Sequence, residues 1–116
     1  MAIINYTLEN LDKDRMLVIW SGGVSDLGEA FDVPWAPATL MWQGYSASAF
    51  EVHIEGANQD TGDFPLNTAW PLLVTINQNG GGGPGLQETT IPCRFFRPRI
   101  TAASATTTIV LFLVRL

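Results

Sequence analysis

Ala49-Phe50-Glu51-Val52-His53-Ile54-Glu55-Gly56-Ala57-Asn58 is the stretch whose reading decides the fold. Phe50, Val52 and Ile54 alternate with Glu51, His53 and Glu55, the period of two of a strand with one buried and one wet face. Gly56 breaks the alternation, and the run of turn formers from Asn58 to Asp63 closes the strand. A single amphipathic strand cannot bury its apolar side alone. The remaining apolar runs are therefore expected to be its partners in a sheet or sandwich.

Upstream, Ala38 to Gln43 reads as the preceding strand, and Gly44-Tyr45-Ser46 is expected to lead tightly into Phe50 as a hairpin would. Pro34 and Pro37 stop a short extended piece at Ala30 to Val33, because proline denies a central strand its backbone donors. Ser21 to Gly28 reads as a loop. Arg15 to Trp20 (R-M-L-V-I-W) is apolar on both faces and reads as a buried strand. Ala2 to Leu8 is β-prone and is expected to form an edge strand or an arm reaching to a neighbour.

Downstream, Phe64 to Ala69 is irregular around Pro65, and Trp70 to Ile76 restores an extended apolar pattern. Asn77 to Gly85 (N-Q-N-G-G-G-G-P-G) reads as the most mobile loop, since glycine loses the most backbone freedom on ordering. Gln87 to Ile91 and Cys93 to Thr101 read as two short strands, or one bent around Pro92, with Pro98 favouring an edge. Thr106 to Arg115 is apolar on both faces and reads as a central strand covered on both sides. No ten-residue stretch sustains helical spacing, and 7 prolines and 11 glycines cut the chain often. The expected fold class is all-β: an antiparallel β-sandwich, jelly-roll-like or Ig-like, of about seven to eight strands with essentially no helix. It is expected to form a single domain over residues 1–116, with 1–8 as the arm or edge strand.

Composition sets further limits. A chain of 116 residues supports one core. Hydrophobic residues make up 47%, yet no apolar run approaches the roughly 18 residues that a bilayer requires. The opening M-A-I-I-N-Y-T lacks the regions of a secretory signal, so a soluble, unexported chain is expected, without membrane partners. The lone Cys93 excludes an internal disulfide and a cysteine metal cluster. A net charge of −5 with Lys13 as the one lysine argues against gripping nucleic acid. Acids crowd the first third, whereas Arg94, Arg97, Arg99 and Arg115 lie in a C-terminal stretch with no acid after Glu88. These charges either occupy solvated or mutually neutralising faces, or meet between neighbouring copies.

Reactive groups are sparse. His53 is the only histidine, no G-x-S-x-G elbow occurs, and Cys93 lacks a papain-like context. Glu51 and Glu55 share a strand face at a separation of about 13 Å, beyond the roughly 5–9.5 Å of glycosidase carboxylate pairs, and read as a wet face. N-Q-D-T-G-D at Asn58 to Asp63 departs from a calcium loop, with glycine one position early and Ala69 in place of the bidentate glutamate. G-G-G-G-P-G has no lysine or helix behind it to hold a phosphate. Trp20, Trp35, Trp42 and Trp70 read as core or interface rings, or, if exposed, as a sugar-stacking platform. No catalytic residue, cofactor or metal is expected, and the chain reads as a non-enzyme.

The succession L-G-E-A-F-D-V-P, Q-G-Y, F-E-V-H-I-E-G-A-N-Q-D, W-P-L, F-F-R-P-R-I-T and T-T-T-I-V-L-F-L-V-R resembles small all-β structural proteins of tailed bacteriophages, in particular head decoration or cement proteins. The likeness spans about Gly22 to Leu116. It departs from the pattern at Ala57, at Gln59-Asp60 and at Ala102-Ala103. The resemblance implies a capsid decoration protein on the outer surface of a virion, made in the host cytoplasm. It would stabilise contacts between subunits of the major capsid protein and pair with itself as a homo-trimer or homo-dimer. The contacts it suggests are Ile3, Ile4 and Tyr6, then Phe31 and Trp35 within Phe31 to Ala38, and Arg94, Arg97 and Arg99. A neck, tail or baseplate component, or a carbohydrate-binding module for host adhesion, are the alternatives.

Overall fold

Alternation along each long strand decides what lies inside. The computed structural model describes residues 2–35, 38–58, 70–78, 83–89 by their backbone, and 94–116. In β7 (Phe50–Ala57) the buried apolar side chains are Phe50, Val52 and Ile54, as the alternation requires. Met16, Val18 and Trp20 do the same in β3 (Arg15–Gly22), Leu40 and Trp42 in β6 (Ala38–Ser46), Phe96 and Ile100 in β10 (Phe95–Ala103), and Ile109, Leu111 and Leu113 in β11 (Thr107–Arg115). Each such side chain contributes about 1.5–3 kcal/mol on leaving water. Trp20 and Trp42 stack at 5.9 Å in the centre of this core, and Phe96 packs on Trp42 at 5.9 Å.

The remaining strands are β1 (Ile3–Ile4), β2 (Thr7–Asp12), β4 (Leu27–Gly28), β5 (Phe31–Asp32), β8 (Leu72–Gln78) and β9 (Gly83–Thr89). One sheet has the order β1-β4-β10-β7-β8, with β5 also pairing β10; the other has the order β2-β3-β11-β6-β9. No helix occurs among the described residues. After β3 the chain passes to β4 and β5 in the first sheet, back to β6, across to β7 and β8, back to β9, across to β10 and back to β11. That winding back and forth between two sheets is a jelly-roll β-sandwich. β1 joins β4 in parallel, and β2 forms an antiparallel hairpin with β3, so the N-terminal segment supplies an edge strand to each sheet.

Several sequence expectations are corrected by this topology. β6 and β7 do not form a hairpin: they lie in different sheets, and residues 47–49 turn the corner between them. Ser48 and Ser104 hydroxyls meet there at 2.7 Å and tie that corner to the turn before β11. Part of the glycine-rich run is ordered as strand, because Gly83, Pro84 and Gly85 pair with Ser46, Tyr45 and Gly44. Pro84 is tolerated since β9 is the sheet edge; residues 79–82 lie outside the described residues.

Pro98 is not on an edge: β10 lies between β7 and the short strands β4 and β5. The flanking even-numbered residues hydrogen-bond toward β4 and β5, with Arg94 C=O accepting from Val33 and Ile100 N–H donating to Asp26. Pro98 lies beside Gly28, the last residue of β4, beyond which the neighbouring strand is interrupted before β5. The Glu29 carbonyl there accepts from Trp20 Nε1 at 3.0 Å. Gly28 lets this ring come close, for a Cβ at residue 28 would sit 2.5 Å from Pro98 Cδ. Finally, β3 and β11 face the core on one side only, and the apolar residues of their outward rows are partly buried.

Candidate functional site

The polar side chains of β7 and β10 meet on the outer face of the first sheet. The two strands pair antiparallel with Arg97 opposite Glu55 and Arg99 opposite His53, and an irregularity between Ile100 and Ala102 brings Thr101 beside Glu51. Both strands bury one parity of residue, so the acids of one and the arginines of the other must share the second parity. Opposite charges on neighbouring strands of one face attract.

At one end the strip is buried. Arg97 Nε donates to Glu55 Oε1 at 2.9 Å, and Arg99 Nε and Nη2 donate to Glu55 Oε2 and Oε1 at 2.8 and 3.4 Å. The side chains of Arg97 and Glu55 are only 2% and 5% exposed. The wet-face reading of Glu55 is thus corrected: two guanidiniums have drawn its carboxylate out of water. Trp70 lies across the Arg97 guanidinium at 3.9 Å, adding a desolvated cation–π contact. Arg97 has further partners beyond these. It is the fixed end of the strip.

The other end is open. Glu51 Oε2 accepts from the Thr101 hydroxyl at 2.9 Å and lies 3.4 Å from His53 Nε2. Arg99 and His53 stand directly opposite each other yet turn apart, Arg99 toward Glu55 and His53 toward Glu51. Their side chains are 21% and 31% exposed. Among the described residues Arg99 Nη1 and His53 Nδ1 have no hydrogen-bond partner. Thr75 of β8 sits beside His53 on the same face. Thr101, Glu51 and His53 are not a nucleophile relay, because the carboxylate stands between hydroxyl and imidazole, whereas activation needs the imidazole between.

The other residues singled out from the sequence lie elsewhere. Ile3 is exposed on β1; Ile4 and Tyr6 pack on the core, with the Tyr6 ring edge-on to Phe31 at 5.5 Å and to Trp20 at 5.9 Å. Burial, aided by Glu29 and Asp32, raises the Tyr6 phenol above its ordinary pKa. Phe31 is a core residue, and Trp35 is half-buried against the same cluster. Arg94 forms an exposed two-pronged pair with Asp32, both bonds at 3.0 Å, with its guanidinium 5.0 Å from the Phe95 ring. Trp20, Trp42 and Trp70 are buried, so no exposed row of indoles exists among the described residues. Cys93 and residues 59–63 of the calcium-like stretch lie outside the described residues. Among the described residues no group of three His, Cys, Asp or Glu side chains is placed to hold a metal.

Glu55 and Thr101 were missed as members of a site, and Arg97 and Arg99 were assigned to contacts between chains. The signal was present: F-E-V-H-I-E and F-F-R-P-R-I-T alternate with the same period and carry opposite charges at their polar positions.

No family model and no curated protein matches the chain. Solved structures with a similar course include a cupin domain from Bordetella pertussis Tohama I, at 10% identity and TM-score 0.49, covering 99% of this chain and 96% of that one. KdgF from Halomonas sp. follows at 16% identity and TM-score 0.42, covering 96% and 78%. CapF, solved with the inhibitor 3-isopropenyl-tropolone, gives 7% identity and TM-score 0.41, covering 96% of this chain and 30% of its own. These neighbours include a cupin domain and no bacteriophage protein, and the expectation of a phage capsid decoration or cement protein is corrected accordingly. The motifs behind it have a local explanation. F-E-V-H-I-E-G-A, F-F-R-P-R-I-T and T-T-I-V-L-F-L-V-R are β7, β10 and β11, and their alternation is what a jelly roll demands of its strands.

Proposed function

We propose that this chain is a small-molecule-binding protein whose site is the outer face of β7 and β10, and that its ligand is a small organic anion held through a carboxylate. The observation that carries the reading is Arg99. It is anchored on the buried Glu55, one-fifth exposed, and keeps Nη1 unengaged among the described residues next to the unengaged Nδ1 of His53. A guanidinium held by its Nε edge has lost its side-chain freedom before the ligand arrives, which lowers the cost of binding. Charge-assisted hydrogen bonds from such a fork are the strong ones. Thr75 and Thr101 supply hydroxyls on either flank for polar groups of the same ligand. Glu51, turned toward Thr101 and His53, does not crowd the guanidinium.

Isothermal titration with acetate, malonate and citrate, against uncharged glycerol, tests this. The expected result is saturable binding of at least one carboxylate and none of glycerol. The Arg99→Lys variant, which keeps the charge and loses the fork, is expected to bind about tenfold more weakly. Absence of saturable carboxylate binding by the folded protein, or equal affinity in Arg99→Lys, defeats the proposal.

A further inference from the structure

We infer that the site on β7 and β10 takes up a proton together with its ligand, and that His53 is the residue that accepts it; the inference rests on the anion reading above and adds its dependence on pH. His53 is set between two places for a carboxylate. Its Nε2 stands 3.4 Å from Glu51 Oε2, and Nδ1 is the ring atom without a partner among the described residues. A neutral imidazole has one N–H and one lone pair. With the proton on Nε2, the lone pair of Nδ1 repels an arriving carboxylate. With the proton on Nδ1, the lone pair of Nε2 faces an oxygen of Glu51 that has only lone pairs to offer. Thr101 holds that carboxylate in place, its hydroxyl donating to Oε2 at 2.9 Å. Only the doubly protonated ring donates on both sides.

The charges around the ring act in the same direction. Glu51 and Glu55 of β7 share its face, as do Arg97 and Arg99 of β10, and β8, which brings Thr75 opposite His53, has no ionisable residue between Leu72 and Gln78. Two arginines thus stand against two glutamates, and the strip is formally neutral while His53 is neutral. Arg99, directly across from His53, opposes a further positive charge as long as it is bare. A carboxylate on Arg99 cancels that opposition and leaves the strip short of positive charge, which a proton on His53 restores. One unit charge at about 6 Å, in an effective dielectric of about 20–40, moves a protonation equilibrium about ten- to a hundredfold. Histidine is the side chain whose ordinary titration lies close enough to neutrality for a change of that size to fill it. The ring is partly exposed, so solvent supplies the proton. Binding that takes up protons strengthens as pH falls and weakens as it rises.

Calorimetric titration of the full chain with acetate and with malonate, in Tris and in triethanolamine at about pH 7.2, tests it, since both ligands are ionised there and neither buffer is an anion. The two buffers differ in ionisation enthalpy, so the change in binding heat between them counts the protons taken up. The expected result is an uptake of at least about half a proton, with affinity falling about threefold from about pH 7 to 8. His53→Gln is expected to bind more weakly and to take up no proton. Glu51→Gln removes the charge beside Nε2 and keeps the shape, so that a single ring proton on Nδ1 suffices, and is expected to take up less than the wild type. Binding with an uptake below half a proton, or wild-type uptake in either variant, overturns this inference while the anion reading stands. Failure of acetate and malonate to bind overturns it too, and failure of citrate as well defeats the anion reading with it.

Discussion

Three arginine–carboxylate pairs show how much the surroundings of one side chain decide. Arg97 and Glu55 are buried together, Arg94 and Asp32 are exposed, and Arg15 and Asp12 lie at the β2–β3 hairpin. Glu55→Gln leaves two guanidiniums around an uncharged group in a dry place, and is expected to lower the unfolding free energy by about 3–5 kcal/mol in urea titrations. Arg94→Ala, by contrast, is expected to leave the urea midpoint almost unchanged, because water screens that pair. Asp12 accepts from the Arg15 side chain and the Asp14 amide, and these bonds hold its carboxyl below the ordinary aspartate range. Its pairing therefore contributes to stability above the ordinary aspartate pKa and is lost as pH falls through the lowered folded value. Carbon-detected NMR titration is expected to place the Asp12 midpoint below that of an unpaired aspartate, and Arg15→Ala to move it back up. These pairings were only partly legible in the sequence. Alternation placed Glu55 on the polar face correctly, but periodicity carries no information on whether a neighbouring strand will cover that face with arginine and tryptophan.

Among the elements, β10 is the one whose reading changed most. Pro98 argued for an edge, and the rule it rests on is sound: a central strand needs its donors. The strand is nonetheless internal because Pro98 sits against Gly28 at the very end of the two-residue β4, and no local sequence signal marks where a distant strand stops. Gly28 is the counterpart of that arrangement. An added Cβ would meet Pro98 Cγ at 2.6 Å and Trp20 Cδ1 at 2.8 Å, both rings that are hemmed in by the core. Gly28→Ala is accordingly expected to destabilise the fold by about 1–3 kcal/mol, visible as a lower urea midpoint with an unchanged slope. The long apolar strands were the easiest to read, since R-M-L-V-I-W and T-T-I-V-L-F-L-V became β3 and β11. Being apolar on both faces was taken to mean being covered on both faces within one chain. The structure separates the two conditions: the outward rows of β3 and β11 are partly buried yet point away from the core.

Over the whole molecule, the chain presents two unlike faces on opposite sides of a body measuring 36 × 33 × 22 Å. Two sheets stacked about 10 Å apart, with side chains on both outer faces, account for the short dimension. The all-β class and the sandwich were legible because strand period and turn residues are local. The choice of which polar face holds a site was not, because it depends on which strands become neighbours. Raising ionic strength from about 0.05 to 0.5 M shortens the screening length severalfold, so carboxylate affinity is expected to fall in calorimetric titrations. The account's central claim is that Arg99, braced by the buried Glu55, is the point at which a ligand is held. Its most direct test is the proton–nitrogen spectrum of the arginine and histidine side chains during titration with citrate. The account expects saturable shifts at Arg99 Nε and the His53 ring, with Arg97 Nε nearly still. Saturable shifts confined to other residues, or none at any citrate concentration, would contradict it.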